Sequence, residues 1–237
     1  MSNIYNLFKF LEKKKGTKTP FKFKLINAPE EITDEDLNVE GDLDLYSTPI
    51  TSLPDNLKIG GDLYLSKTSI TSLPDNLKVG GDLDLRATKI TSLPDNLKVG
   101  RFLNLSNIPI TSIPDNLQVG GDLNLYNTSI TSLPNNFKVG GDLNLRYSPI
   151  TSLPDNLQVG GDLFLSSTPI TSLPNNLKVG GGLYLSGTKI TSLPDNLKVG
   201  RFLSLRNTPL AKKYTKEEIR KMIKKKGGYV KGDIHVG

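Results

Sequence analysis

The chain has 237 residues and no cysteine, which excludes a disulfide framework, a thiolate nucleophile and a thiolate metal site. Its net charge of +6 is unevenly held: residues 1–24 carry seven Lys against one Glu, residues 211–237 carry nine Lys or Arg against three acids, and residues 25–210 carry fourteen basic against twenty acidic side chains. No stretch reaches the roughly 18 apolar residues of a membrane span, and the opening MSNIYNLFKFLEKKK lacks the apolar run and cleavage site of a secretory signal, so a cytoplasmic protein is expected.

In chain order the first predicted element is a helix within residues 1–22, where Ile4, Leu7, Phe8 and Leu11 fall at i, i+3, i+4 and i+7. Its apolar stripe is expected to cap the open end of a core, with membrane docking of this Lys-rich helix as the alternative. Residues 23–42 read as a degenerate first coil. Phe23 and Leu25 precede Leu43 and Leu45 by twenty residues, while Leu37, Val39, Gly41 and Asp42 match Leu57, Ile59, Gly61 and Asp62.

From about residue 43 to 210 a twenty-residue unit, typified by GGDLYLSKTSITSLPDNLKV, recurs without insertion or deletion. A unit this short cannot bury its own apolar face, so the units must stack into a β-rich repeat solenoid. Alternation at Leu63 and Leu65 marks a short strand, and its recurrence from Leu43 to Leu203 predicts a parallel sheet with strands about 4.8 Å apart. Ile70, Leu73, Leu77 and Val79 complete the expected core. Pro74 and its equivalents forbid a regular helix on the return path. Gly60 and its equivalents are expected to supply a backbone angle that other residues resist. Thr68, with counterparts at 48, 88, 128, 168, 188 and 208, Ser148 as a substitute and Ile108 as the exception, fits a ladder that satisfies turn backbone. Thr71, Ser72 and Asn76 recur in every unit and read as hydrogen-bonded scaffolding. Asp62 and its equivalents form a column of like charge that amides, neighbouring Lys or, as a lesser alternative, Ca²⁺ would offset.

Residues 211–237 form a second cap. Thr215-Lys216-Glu217-Glu218 reads as a capping box opening a helix to about Lys226, with Ile219, Met222 and Ile223 inward and Gly227-Gly228 as its stop. Val230 to Val236 then repeats the V-G-G-D-L-x-L phrase, predicting a final strand at Ile234 to Val236.

The segment Leu63-Tyr64-Leu65-Ser66-Lys67-Thr68-Ser69-Ile70 resembles the L-x-L-x-x-N-x-L signature of leucine-rich repeats, with Thr at the usual Asn position. Leu73-Pro74 and Leu77 are similar to the short proline-bearing repeats of secreted effectors from Gram-negative pathogens, although the G-G-D before each strand departs from them. The phrase ITSLPDNLKVGGDL also resembles repeat proteins of bacteriophages and gut bacteria. The effector resemblance carries no ubiquitin-ligase domain here, since that domain needs a Cys nucleophile. In leucine-rich repeats the x positions of L-x-L-x-x face out from the sheet, and in this chain those positions vary most.

That coincidence marks Tyr46, Tyr64, Lys67, Arg86, Asn107, Tyr126, Asn127, Arg146, Tyr147, Phe164, Tyr184 and Arg206 as candidate partner-binding residues, alongside polar residues such as Asp44, Asp84, Asn104 and Asn144. Tyr and Arg suit protein interfaces because they combine contact area with directed hydrogen bonds. Arg101-Phe102 and Arg201-Phe202, which replace Gly-Asp a hundred residues apart, are possible secondary contacts. Catalysis is not expected. His235 is the only histidine, no P-loop or dinucleotide fingerprint is present, and no cofactor or metal is implied.

Three functions follow in order: a non-catalytic protein-binding scaffold using the sheet face; a structural or assembly component, of a phage virion if the phage resemblance holds, docking through its basic ends; and nucleic-acid binding by the Lys-rich caps. The chain would act as a monomer or within a larger assembly.

Overall fold

The computed structural model describes residues 3–15 and 18–237. Ten two-residue strands, from Leu43–Asp44 to Ile234–His235, pair in parallel and in strict chain order to form a front sheet. Each step advances the register by one repeat, with Leu43 opposite Leu63 and Leu63 opposite Leu83. Each leucine amide donates to the next coil, as in Leu63 N to Asp82 O at 2.8 Å and Leu65 N to Asp84 O at 2.9 Å. The fold is a parallel-sheet solenoid of the leucine-rich-repeat-like kind, with a non-helical return path.

A second ladder runs behind the first and was not legible in the period. Lys58–Ile59, Lys78–Val79 and their equivalents pair in parallel, with the Val or Ile turned into the core and the preceding residue turned outward. Here the amides point the other way, as in Gly80 N to Ile59 O at 2.8 Å. The ladder is interrupted between Gln118–Val119 and Lys138–Val139. Phe137 stands there in place of leucine, and Leu117 and Val119 are 7 % and 8 % exposed, whereas Leu77 and Val79 are 0 % and 3 % exposed. The interruption thus coincides with the one coil in which phenylalanine replaces the buried leucine, while the glycines at 120 and 140 stay as closely stacked as elsewhere.

The core is a column of leucines, isoleucines and valines, with Leu63, Leu65, Ile70 and Leu77 fully buried. Burying one such side chain contributes about 1.5–3 kcal/mol, so every coil depends on the neighbours that cover it. Thr68 Oγ1 donates to Leu65 O at 2.7 Å, and the same bond recurs from Thr48 to Thr208, with Ser148 substituting and Ile108 apolar. Asn76 sits at φ +60°, a region its short amide tolerates, and its side chain donates to Asn56 Oδ1 at 3.3 Å.

Two expectations about the repeat are corrected. Gly60 and its equivalents do not have a positive φ; a Cβ on Gly80 would instead overlap the Gly60 carbonyl oxygen, and the same holds up the column to Gly200. Close stacking of coils, rather than a backbone angle, demands glycine. Thr71 and Ser72 are not scaffolding by hydrogen bond: in every coil this pair is exposed, and among the described residues its hydroxyls make no protein hydrogen bond.

The N-terminal end differs from expectation too. Helix α1 spans Asn3–Lys15, and helix α2 spans Phe21–Asn27, where the degenerate coil would have placed a strand at Phe23 to Leu25. No Gly-Gly-Asp turn precedes this segment, and Pro20 opens a helix there that buries Leu25. Register with the repeat starts only at Asn38–Val39, opposite Lys58–Ile59. Lys24 Nζ is paired with Asp36 at 2.8 Å, and the Asp36 carboxylate also accepts from Thr33 N. In α1, Phe8 packs against Phe23 with ring centroids 4.7 Å apart, while Leu7 faces outward at 55 % exposure; the Ile4 side chain lies outside the described residues.

At the other end Thr208 caps a short helix, α3 (Pro209–Lys213), absent from the sequence expectation. Helix α4 (Lys216–Lys225) opens on the Thr215–Glu218 capping box and buries Ile219 and Ile223. Gly227, at φ +76°, turns the chain back, and Tyr229–Val230 and Ile234–His235 complete the two ladders. Among the described residues no helix is long and apolar enough to cross a membrane.

Candidate functional site

The outward positions of the front sheet form three columns. The strand column runs through residues 44, 64, 84, 104, 124, 144, 164, 184, 204 and 235; the next through 46, 66, 86 and onward to 206; the turn column through 47, 67, 87 and onward to 207. Strand spacing of about 4.8 Å forces side chains within a column into contact. For this reason the expectation that every such position is open fails for Asp84, Asn104, Ser66, Ser106 and Ser204, which are buried.

Much of the strand column serves the turn that follows it. Asp44, Asp84, Asn104, Asn124 and Asn144 each accept the backbone amide two residues on, at 2.9–3.2 Å. This local carboxylate or amide turn stabilises the backbone and removes these residues from the pool of partner contacts. The signal in sequence was Asp or Asn at one fixed column. Tyr64, Phe164, Tyr184 and Ser204 break that rule and forgo the bond.

At the N-terminal part of the face the candidates neutralise one another. Lys67 Nζ lies 5.3 Å from the Tyr46 ring centre. Arg86 chelates Asp84, with Nη2 to Oδ2 at 2.7 Å, and the carboxylate raises the arginine pKa. Tyr64 donates to Asp62 Oδ2 at 2.9 Å, and that bond raises the phenol pKa. Asn127 Nδ2 donates to Asn107 Oδ1 at 2.9 Å in the turn column.

The C-terminal part is different in kind. Phe164 and Tyr184 stack with centroids 4.4 Å apart, Tyr184 meets Phe202 edge-on at 4.9 Å, and Phe202 meets His235 at 5.9 Å. The Arg146 guanidinium lies over Phe164 at 4.3 Å and reaches Tyr184 at 5.7 Å. Beside them Tyr126 and Tyr147 meet edge-on at 5.3 Å. Burial first, and Asp162 second, raise the Tyr184 pKa. Tyr147 is 56 % exposed and has φ +59°. A bulky side chain in that region is strained by about 1–3 kcal/mol; the equivalent positions hold Asn107, Asn127, Gly187 and Asn207, but also Ser47, Lys67, Ala87 and Ser167, so the turn admits other side chains at that expense. Arg206 is exposed at the far end of the face.

The secondary candidates separate. Arg101 turns back along the Asp column, pairing with Asp62 at 2.6 Å and Asp82 at 3.2 Å. Its role is local charge compensation. Phe202 belongs to the aromatic run, Phe102 is half-buried, and Arg201 is exposed. The Asp column itself is occupied by backbone: Asp42, Asp62, Asp122 and Asp142 each accept the amide of the corresponding Asp in the next coil at 2.7–2.8 Å. The Asp82 amide is the main reason that the Asp62 pKa is lowered, with Tyr64 and Arg101 adding to it. Among the described residues no group of three or more His, Cys, Asp or Glu is arranged to hold a metal ion.

No protein-family model matches the chain, and no curated protein matches it in a sequence search.

Proposed function

We propose that the chain is a non-catalytic scaffold that holds a protein partner on its front sheet, between Tyr126 and His235. The observation that carries this reading is the aromatic run itself. Phe164 and Tyr184 occupy a column where Asp or Asn supports the turn in five other coils, so two coils give up a structural hydrogen bond and present a continuous aromatic surface instead. Tyr147 beside it, 56 % exposed and edge-on to Tyr126, extends the aromatic surface. Rigid aromatic and guanidinium groups are the side chains that dominate protein interfaces. A repeat solenoid holds their backbone on a regular lattice, which lowers the ordering cost at binding.

The test is affinity capture from the native host with the full chain and with the Phe164→Asn/Tyr184→Asn double variant. Asparagine restores the turn bond that Asn124 and Asn144 already make, so the variant keeps the fold and loses the aromatic surface. A partner retained by the wild type and absent from the variant supports the reading. An unchanged capture profile overturns it and moves function to the basic ends.

A further inference from the structure

The chain has six arginines, and three of them are fully employed by the protein. Arg86 pairs with Asp84, Arg101 with Asp62 and Asp82, and Arg220 donates to Val230 O and Gly232 O at 2.9 and 2.7 Å. Arg201 and Arg206 are exposed to solvent, where a free guanidinium is hydrated. Arg146 fits neither group. It is half-buried and held over the Phe164 and Tyr184 rings, yet among the described residues its guanidinium makes no hydrogen bond and no ion pair. The neighbouring acids are committed elsewhere: Asp142 accepts the Asp162 amide, and Asp162 accepts the Gly182 amide and the Tyr184 hydroxyl.

A guanidinium stays charged and presents five donors in a planar fork, and stacking on aromatic rings fixes the plane while leaving its donors free. From Asn104 to the end of the front sheet the three outward columns carry Arg146 and Arg206 and no Asp or Glu. The missing complement is a planar anion supplied from outside.

We infer that Arg146 is the anion-reading anchor of this face, and that the partner segment presents an Asp or Glu side-chain carboxylate to it while an apolar residue of that segment lies against Tyr126 and Tyr147. The inference rests on the proposed binding function and assigns the chemistry of the partner. A bidentate carboxylate on a positioned guanidinium forms two charge-assisted hydrogen bonds.

The experiment uses an array of synthetic peptides of varied sequence, each printed as a Glu form, its Gln twin and a phosphoserine twin, probed with the full chain. The wild type is expected to select peptides for which Glu→Gln weakens binding by about tenfold or more. Arg146→Gln removes the difference between twins, Arg146→Lys reduces it because the charge stays and the fork is lost, and Arg206→Gln keeps it. Thermal melts confirm that each variant is folded. Selection of no peptide, indifference to the Glu→Gln change, survival of the preference in Arg146→Gln, or preference for the phosphoserine twin each overturns the carboxylate assignment. Selection that disappears in the Phe164→Asn/Tyr184→Asn variant but ignores the twin change removes only this inference. Selection that the double variant retains in full removes the binding face as well.

Discussion

The Phe202 ring fills the space that a side chain at residue 182 would need: a Cβ on Gly182 would lie 2.7 Å from Phe202 Cζ. The Gly182 gap in the Asp column and the second Arg-Phe replacement are therefore a single feature. Gly182→Asp is expected to displace the ring from Tyr184 and lower stability by about 1–3 kcal/mol, as overpacking does. Adding Phe202→Ala should recover most of that loss, giving a coupling energy of about 1 kcal/mol or more in a double-mutant cycle measured by denaturant unfolding.

Gly120 tests the stacking column. Its Cα hydrogens face the Gly100 carbonyl, and any Cβ there meets that oxygen. Gly120→Ala should destabilise the solenoid by about 2–3 kcal/mol although alanine lowers the entropy of the unfolded chain. Unfolding monitored by circular dichroism checks this; a neutral result would show that the coils can separate at no expense.

Tyr147→Asn should raise stability while weakening capture. The turn column demands φ near +60°, and Asn107 and Asn127 meet it at φ +59° and +52°. Relief of strain by an asparagine is worth about 1 kcal/mol, which a thermal melt will register. The paired loss of binding would identify Tyr147 as a residue kept for contact at the expense of the fold.

Acid sensitivity follows from three carboxylates. Asp62 is lowered by the Asp82 amide, Glu218 by the Thr215 amide, and Asp36 by Lys24 and Thr33, which outweigh the opposing effect of burial. Groups depressed in the folded state contribute stability above their unfolded pKa of about 4 and lose it as pH falls through the folded values. The melting temperature should be flat between about pH 7 and 5 and fall below about pH 4. Asp62→Asn should lower stability at neutral pH and flatten the acid limb.

The lysines of the second cap are not equivalent. Lys226 Nζ donates to Leu193 O at 2.9 Å and pairs with Asp195 at 3.1 Å, tying the cap to the last return segment. Lys226→Ala should cost about 1 kcal/mol, whereas Lys224→Ala and Lys225→Ala should stay within about 0.5 kcal/mol. Thermal melts of the three single variants distinguish them. Any test of docking through this end must therefore leave Lys226 in place.

The twenty-residue period by itself determined the coil, the front ladder and the leucine column, because burial of a short apolar unit has one solution when it repeats without gaps, and the recurring phrase at Val230 to Val236 gave the register at which Ile234 rejoins the sheet opposite Leu203. The Thr215 capping box was equally legible, being a local pattern of side chain and backbone. Tertiary structure alone decided what depends on the neighbouring coil. It turned residues 21–27 into a helix over the open end, set glycine at residue 80 by contact rather than by φ, and left the Thr71 and Ser72 hydroxyls without a protein hydrogen bond among the described residues. It also sorted the arginines, since a guanidinium finds its partner 39 residues away, as Arg101 does in Asp62, or finds none among the described residues, as at Arg146. Those distances lie across the stack rather than along the chain, where no sequence period reports them.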